Sequence, residues 1–148
     1  MKRILFVCHG NVCRSTMAQF VMEELVRRAG REGEFAIDSA ATSREELGNP
    51  PHYGTVGKLR REGIPVGHHR ARQLRRDEYD AWDHIVYMDA ENARGVARIL
   101  GGDPDGKVSR LLDWAGRSCD VADPWYTGDF DATYRDVLAG CEAMLAAL

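Results

Sequence analysis

The chain alternates short apolar runs with longer stretches whose apolar residues recur every three or four positions. RILFVC, residues 3–8, is brief, unbroken and rich in Ile, Phe and Val, which predicts a strand buried in a parallel sheet. Over residues 14–29, Met17, Val21 and Leu25 fall four apart, with Ala18, Met22 and Ala29 beside them. That stripe predicts an amphipathic helix stopped by Gly30. FAIDSAA, 35–41, predicts a second strand, and the polar stretch 42–52, with Pro50-Pro51, a loop. A helix follows over 53–63, carrying Val56 and Leu59 and stopping at Gly63. Residues 69–82 are irregular or weakly helical. A third strand is expected in DHIVYMD (83–89), a helix over 90–101, a fourth strand within 106–116, and a long loop rich in Asp and aromatics over 118–131. The last helix is expected over 132–148. Its stripe of Val137, Cys141, Met144, Leu145 and Leu148 makes Cys141 a packing residue.

Strands alternating with helices predict an α/β fold: one three-layer domain over residues 1–148, with a four-stranded parallel sheet and helices on both faces. Ligands in such sheets bind beyond the carboxyl ends of the strands. Cys8 lies at one such end, Asp38 and Ser39 near a second, and Asp89 at a third.

Composition narrows the function classes. A chain of 148 residues with 44% apolar and 29% charged residues has the balance of a soluble globular domain. Its net charge of -3, from 20 basic and 23 acidic residues, argues against nucleic acid as a partner. The arginines of GHHRARQLRR, 67–76, read as a solvated basic face. The apolar run after Lys2 and Arg3 is too short for a signal core, and no run is long enough to span a membrane, so no membrane association is expected. The spacing of Cys8, Cys13, Cys119 and Cys141 fits no common zinc pattern, and neither metal nor other cofactor is expected. Reduced thiols and a cytoplasmic location follow as the expectation.

The chemistry gathers in CHGNVCRS, residues 8–15, a phosphate-binding loop after the first strand. A loop joining a strand to a helix N-terminus turns backbone N–H groups toward one spot, and the helix dipole adds to them. That backbone is His9, Gly10, Asn11, Val12, Cys13 and Arg14. Gly10 and Asn11 are the residues best able to take positive φ angles. Arg14 offers a planar fork for two phosphate oxygens. Cys8, at the base, would meet both the dipole and the arginine, which favour a thiolate nucleophile. Cysteine and arginine at this spacing arise by chance roughly half a time in a chain of this composition. The strand before, the helix after, Gly-Asn between and Ser15 following give the pattern its weight. No GxxxxGK[ST] loop is present. From the residues alone, Asp123-Pro124 is a turn start, His69 is a surface or core histidine with His68 as its rival, and Trp125 and Tyr126 are core aromatics.

VCHGNVCRS resembles the signature of low-molecular-weight protein tyrosine phosphatases, Cys-x-Gly-Asn-x-Cys-Arg-Ser, and DPWY, 123–126, resembles that family's Asp-Pro-aromatic-aromatic mark. DSA (38–40), HRARQL (69–74) and YDAWDHIVYMD (79–89) are similar too, so the likeness runs the length of the chain. The resemblance implies phosphotyrosine hydrolysis through a cysteinyl-phosphate. It makes Cys8 the nucleophile, Arg14 the holder of the phosphoryl oxygens, and Asp123 the acid for the leaving oxygen and then the base for water. Ser15 would hydrogen-bond the thiolate, and Asn11, Ser39 and His69 would keep the loop in shape. Cys13 would close a disulfide with Cys8 under oxidation. Trp125 and Tyr126 become walls of the substrate cleft, and His9 a rim residue. The implied partner is a phosphotyrosine-containing protein, a bacterial tyrosine kinase among the candidates.

Departures from the pattern are Thr16, where the family often has proline, Ala41, where it often has glycine, and Glu45, where relatives place a bulky apolar or aromatic residue. Glu45 would repel acidic phosphopeptides. Two relatives of the same fold are rivals. A thioredoxin-coupled arsenate reductase needs a resolving cysteine pair after the third strand, where YMDAENARGV has none. Protein-arginine phosphatases tend to carry threonine at the position of Val12, and valine favours an aryl phosphate. A non-catalytic anion-binding module would lack Cys8 or Asp123, and both are present.

Overall fold

The computed structural model describes residues 1–148. Four parallel strands, β1 (Lys2–Cys8), β2 (Phe35–Ala41), β3 (His84–Tyr87) and β4 (Val108–Arg110), stand in the order β2-β1-β3-β4. Five helices accompany them: α1 (Arg14–Arg28), α2 (Tyr53–Arg61), α3 (Ala90–Leu100), α4 (Pro124–Thr127) and α5 (Phe130–Ala147). No helix is long and apolar enough to cross a membrane.

The alternation along β1 explains its unbroken apolar run. Ile4, Phe6 and Cys8 enter the larger core, shared with Met17 and Val21 of α1 and Val137 and Met144 of α5. Leu5 and Val7 enter a smaller core on the other face, with Val96 and Leu100 of α3. A strand covered on both sides has no solvent face to leave polar. Each such aliphatic side chain contributes on the order of 1.5–3 kcal/mol through its burial. The expected three-layer α/β architecture with helices on both faces is what the chain adopts.

From β1 the chain passes through α1 to β2 on one side, then crosses to β3 on the other. The carboxyl end of β1 therefore faces the crevice at the point where strand order reverses. In register, Cys8 pairs with Ala41, and Val7 with Tyr87.

Three element boundaries differ from the sequence expectation, each for a local reason. β3 ends at Tyr87, because the N–H groups of Met88 and Asp89 donate to Asn92 Oδ1, both at 3.2 Å, instead of to a neighbouring strand. β4 is only three residues long and passes into a 3-10 turn at Leu111–Ala115. A strand would send Leu111 and Leu112 to opposite faces, whereas the turn sends both into the core with α5. Gly140 of α5 permits that approach, since a β-carbon there would collide with Leu111. The stretch expected as one loop over 118–131 holds α4 and the start of α5. Asp123 caps the first of these helices and Asp129 the second, by accepting from Trp125 N–H at 3.0 Å and Ala132 N–H at 2.9 Å.

Candidate active site

The loop from His9 to Cys13 is polarised. Several of its carbonyl groups are taken by other segments: Cys8 O by Thr42 N–H at 2.9 Å, His9 O by Ser43 N–H at 3.1 Å, and Val12 O by His52 N–H at 2.8 Å. Cys13 O accepts from the hydroxyls of Thr16 and Thr55 at 3.1 and 3.2 Å, and from Met17 N–H at 3.1 Å. The N–H groups of Gly10, Val12, Cys13 and Arg14 have no acceptor in the protein. Buried donors need partners, so a loop with these four carbonyls satisfied and these four donors free is a cradle for an anion. α1 adds its dipole, with no acidic residue in its first turn to offset it.

Backbone geometry corrects one expectation. Asn11 takes the left-handed conformation, φ 58, as the only non-glycine residue to do so, but Gly10 does not. Gly10 instead allows close packing. A β-carbon on it would sit 3.3 Å from Glu46 Cγ, so the following rim segment can lie against the loop. Thr16, in place of the expected proline, anchors the loop through its hydroxyl.

Asn11 is fully buried, and its side chain organises the nucleophile. Asn11 Nδ2 donates to Ser15 Oγ at 2.8 Å and to Ser39 Oγ at 2.9 Å. Having accepted that bond, Ser15 has its own O–H free for Cys8 Sγ, 3.0 Å away. Asn11 N–H also donates to Cys8 Sγ at 3.3 Å. Ser39 directs its O–H to Gln19 Oε1 at 2.5 Å. His69 Nε2 lies 2.8 Å from Asn11 Oδ1, which only accepts, so the proton is on Nε2. Arg72 N–H donates to the same oxygen at 3.2 Å. Burial lowers the pKa of His69, opposed by the nearby Asp38. His69, not His68, is the histidine of this network.

Arg14 lies at the base of the cleft, 2% exposed. Its Nη1 donates to Asp89 Oδ2 at 2.7 Å and to Val121 O at 2.9 Å, and its Nη2 to Asp123 Oδ2 at 3.4 Å. Burial alone would disfavour its charge. Cys8, Asp89 and Asp123 outweigh that and raise its pKa. Asp123 comes to the site on the first turn of α4, with Pro124 at the position where a missing N–H costs nothing. The cleft that opens above is lined by Cys8, Arg14, Asp123, Glu45, Trp125 and Tyr126 among others. Trp125 and Tyr126 are exposed, 54% and 84%, and form no part of the core. Cys13 is buried, and its thiol is pushed up to about 12, first by burial and then by Cys8. Cys119 is exposed and Cys141 is buried on α5.

These positions bring together nearly every side chain singled out in the sequence: Cys8, Asn11, Cys13, Arg14, Ser15, Ser39, His69, Asp123 and the cleft walls. His9 contributes backbone to the loop, while its ring turns to the rim, 2.9 Å from Glu45 Oε2. Gln19 reaches the site without any sign in the sequence, and Asp89, placed by the sequence only at a strand end, reaches it through Arg14. Asp89 carried a usable signal, a strand end followed by Asn92 in the spacing of a reciprocal helix cap, which forms here. Gln19 carried none. Chemically, the arrangement can hold a tetrahedral anion against a sulfur nucleophile with a carboxyl group at the mouth.

Residues 3–148 match the family model described as low molecular weight phosphotyrosine protein phosphatase. The chain is 41% identical over 150 residues to the low molecular weight protein-tyrosine-phosphatase YfkJ of Bacillus subtilis, covering all of this chain and 96% of that one. The crystal structure of YfkJ superposes with a TM-score of 0.95, covering 99% of this chain and 94% of that one, at 42% identity. A low molecular weight protein tyrosine phosphatase from Streptococcus pyogenes superposes at 0.90, with 36% identity, over 100% of this chain and 93% of that one.

Proposed function

The chain belongs to the low molecular weight phosphotyrosine protein phosphatase family, and from that premise we propose how its own residues divide the hydrolysis of a phosphotyrosine. It is a phosphoric monoester hydrolase. The phosphoryl group settles in the loop, its oxygens on the free N–H groups and the Arg14 fork. Cys8, as the thiolate, attacks phosphorus from below. As the P–O bond breaks, Asp123 gives its proton to the departing phenolate oxygen. The result is a cysteinyl-phosphate and a free tyrosine side chain. Asp123, now a carboxylate, takes a proton from water. That water oxygen attacks phosphorus, the S–P bond breaks, and inorganic phosphate leaves with Cys8 again a thiolate.

Asn11, Ser15, Ser39 and His69 are positioning residues in this scheme. They hold the sulfur by a chain of hydrogen bonds in which every donor has an acceptor. Trp125 and Tyr126 flank the ring of the substrate, and a serine phosphate is too short to reach sulfur between such walls. The substrate is a phosphotyrosine-containing protein, a tyrosine-autophosphorylated kinase being one candidate. The free thiols suit the reducing conditions of the cytoplasm.

The observation that carries this reading is the polarised loop, whose free donors share one cleft with Cys8 and the buried Arg14. Val12, apolar and 6% exposed, offers no hydroxyl at the position where an arginine phosphatase would use one, which favours an aryl ester. Hydrolysis of p-nitrophenyl phosphate without added metal, compared between wild type and Cys8→Ser, is the test. Turnover is expected in wild type and none in the variant; equal turnover would remove Cys8 from the reaction.

A further inference from the structure

The mouth of the cleft carries a charge pattern that phosphate binding does not call for. A dianion would be drawn in by cations at the rim, yet Arg14, the permanent cation lining the cleft, is buried at its base. The rim instead presents Glu45 and Glu46. Glu46 is half-buried and pinned by Asn49 Nδ2, which donates to its Oε2 at 2.6 Å. His9 sits between two carboxylates, Nε2 being 2.9 Å from Glu45 and Nδ1 3.9 Å from Glu91. One imidazolium neutralises at most one of them, so the rim stays negative in either state of His9. Arg44, next along the chain, turns away and donates to Gln73 Oε1 at 3.1 Å.

A second, independent observation has the same sense. Trp125 and Tyr126 leave much of their ring surface open at the same cleft. Open aromatic faces attract cations through the ring quadrupole, and carboxylates do so by Coulomb attraction. We propose that Glu45 and Glu46 are specificity-determining residues that, with Trp125 and Tyr126, select phosphotyrosines flanked by lysine or arginine. This inference rests on the reading of the cleft as a phosphotyrosine site. Arg14 and the loop hold the phosphate, and the rim reads the charge of the residues beside it.

The test uses phosphotyrosine peptides identical except for lysine or glutamate at the positions flanking the tyrosine. Wild type should show about tenfold higher kcat/KM for the lysine peptide at low salt, with the preference shrinking as screening rises. In the Glu45→Gln, Glu46→Gln variant the ratio should fall to about threefold or less, the part left to the aromatic faces. In the Glu45→Lys, Glu46→Lys variant it should invert. Equal kcat/KM for the two peptides in wild type, or a ratio unchanged in the lysine variant, would overturn the inference while the phosphatase reading stands. Folded wild type that hydrolyses neither peptide would overturn both.

Discussion

Arg14 and Asp89, 75 residues apart in the chain, meet at 2.7 Å, and the contact joins the phosphate loop to the cap of α3. Asp89 uses its two oxygens separately. Oδ1 accepts from Asn92 N–H at 2.8 Å as the helix cap, and Oδ2 accepts from Arg14. Asp89→Asn keeps a capping oxygen but removes the charged acceptor. It should lower kcat/KM about 10- to 100-fold and weaken inhibition by phosphate, with little change in Tm. Steady-state kinetics with phosphate as inhibitor, beside a thermal melt, read both. Unchanged phosphate inhibition would mean that Val121 O and Asp123 suffice to aim Arg14.

Asp123→Asn preserves the cap of α4 and removes the transferable proton. The expected loss in kcat is about 10²- to 10⁴-fold. It should be larger for phenyl phosphate than for p-nitrophenyl phosphate, because the nitrophenolate leaves well without a proton. Phosphate affinity should stay near the wild-type value. An equal loss for both esters would argue against proton donation by Asp123.

Cys13 is held as a thiol by burial and by its neighbour Cys8. It should stay inert until Cys8 is oxidised. Mild peroxide should convert Cys8 to the sulfenic acid, Cys13 should then attack that sulfur, and water would leave as the disulfide forms. Wild type should therefore regain activity with a thiol reductant. Cys13→Ser should lose that recovery progressively as Cys8 passes to the sulfinic acid. Equal recovery in both would exclude Cys13 as the resolving thiol.

Glu24 is a buried carboxylate on α1, held by three arginine hydrogen bonds of 2.6–2.7 Å. Arg27, above all, brings its pKa down to about 2 from the ordinary 4.5. A carboxylate lowered on folding adds stability above its unfolded pKa. That stability is lost as pH falls from about 4.5 towards about 2. Both arginines are half exposed, so the contribution is on the order of 1 kcal/mol. Denaturant titrations across this range should show a shallower acid dependence in Glu24→Gln than in wild type; parallel curves would count against it.

The residues legible in the sequence were those that share one turn of chain with a chemical neighbour. Cys8, Asn11, Arg14 and Ser15 lie within a single loop, whereas Asp123 reads from its own residues only as a turn start before Pro124 and takes its role from the resemblance of DPWY. Strand and helix spacing gave the sheet and its helices, because β1 and α5 bury regular stripes. What spacing could not give was partnership across the fold. Gln19 meets Ser39 only because α1 crosses beside the end of β2, and His69 reaches Asn11 from a segment with no regular pattern at all. The split of Leu111 and Leu112 away from strand geometry depends on Gly140, which lies 29 residues later and only then admits the approach.

The proposed nucleophile and the proposed acid hang from parts of the molecule that should come loose at very different cost. Cys8 is the last residue of the central strand, whose core residues open to solvent only with the molecule as a whole. Asp123 caps a single turn of helix in which only Pro124 is buried and Trp125, Tyr126 and Thr127 are exposed. Gentle warming or dilute denaturant should therefore free Asp123 while Cys8 stays fixed. The protein should then pass through a condition in which it still captures phosphate but no longer releases a poor leaving group, so that loss of function runs ahead of loss of fold.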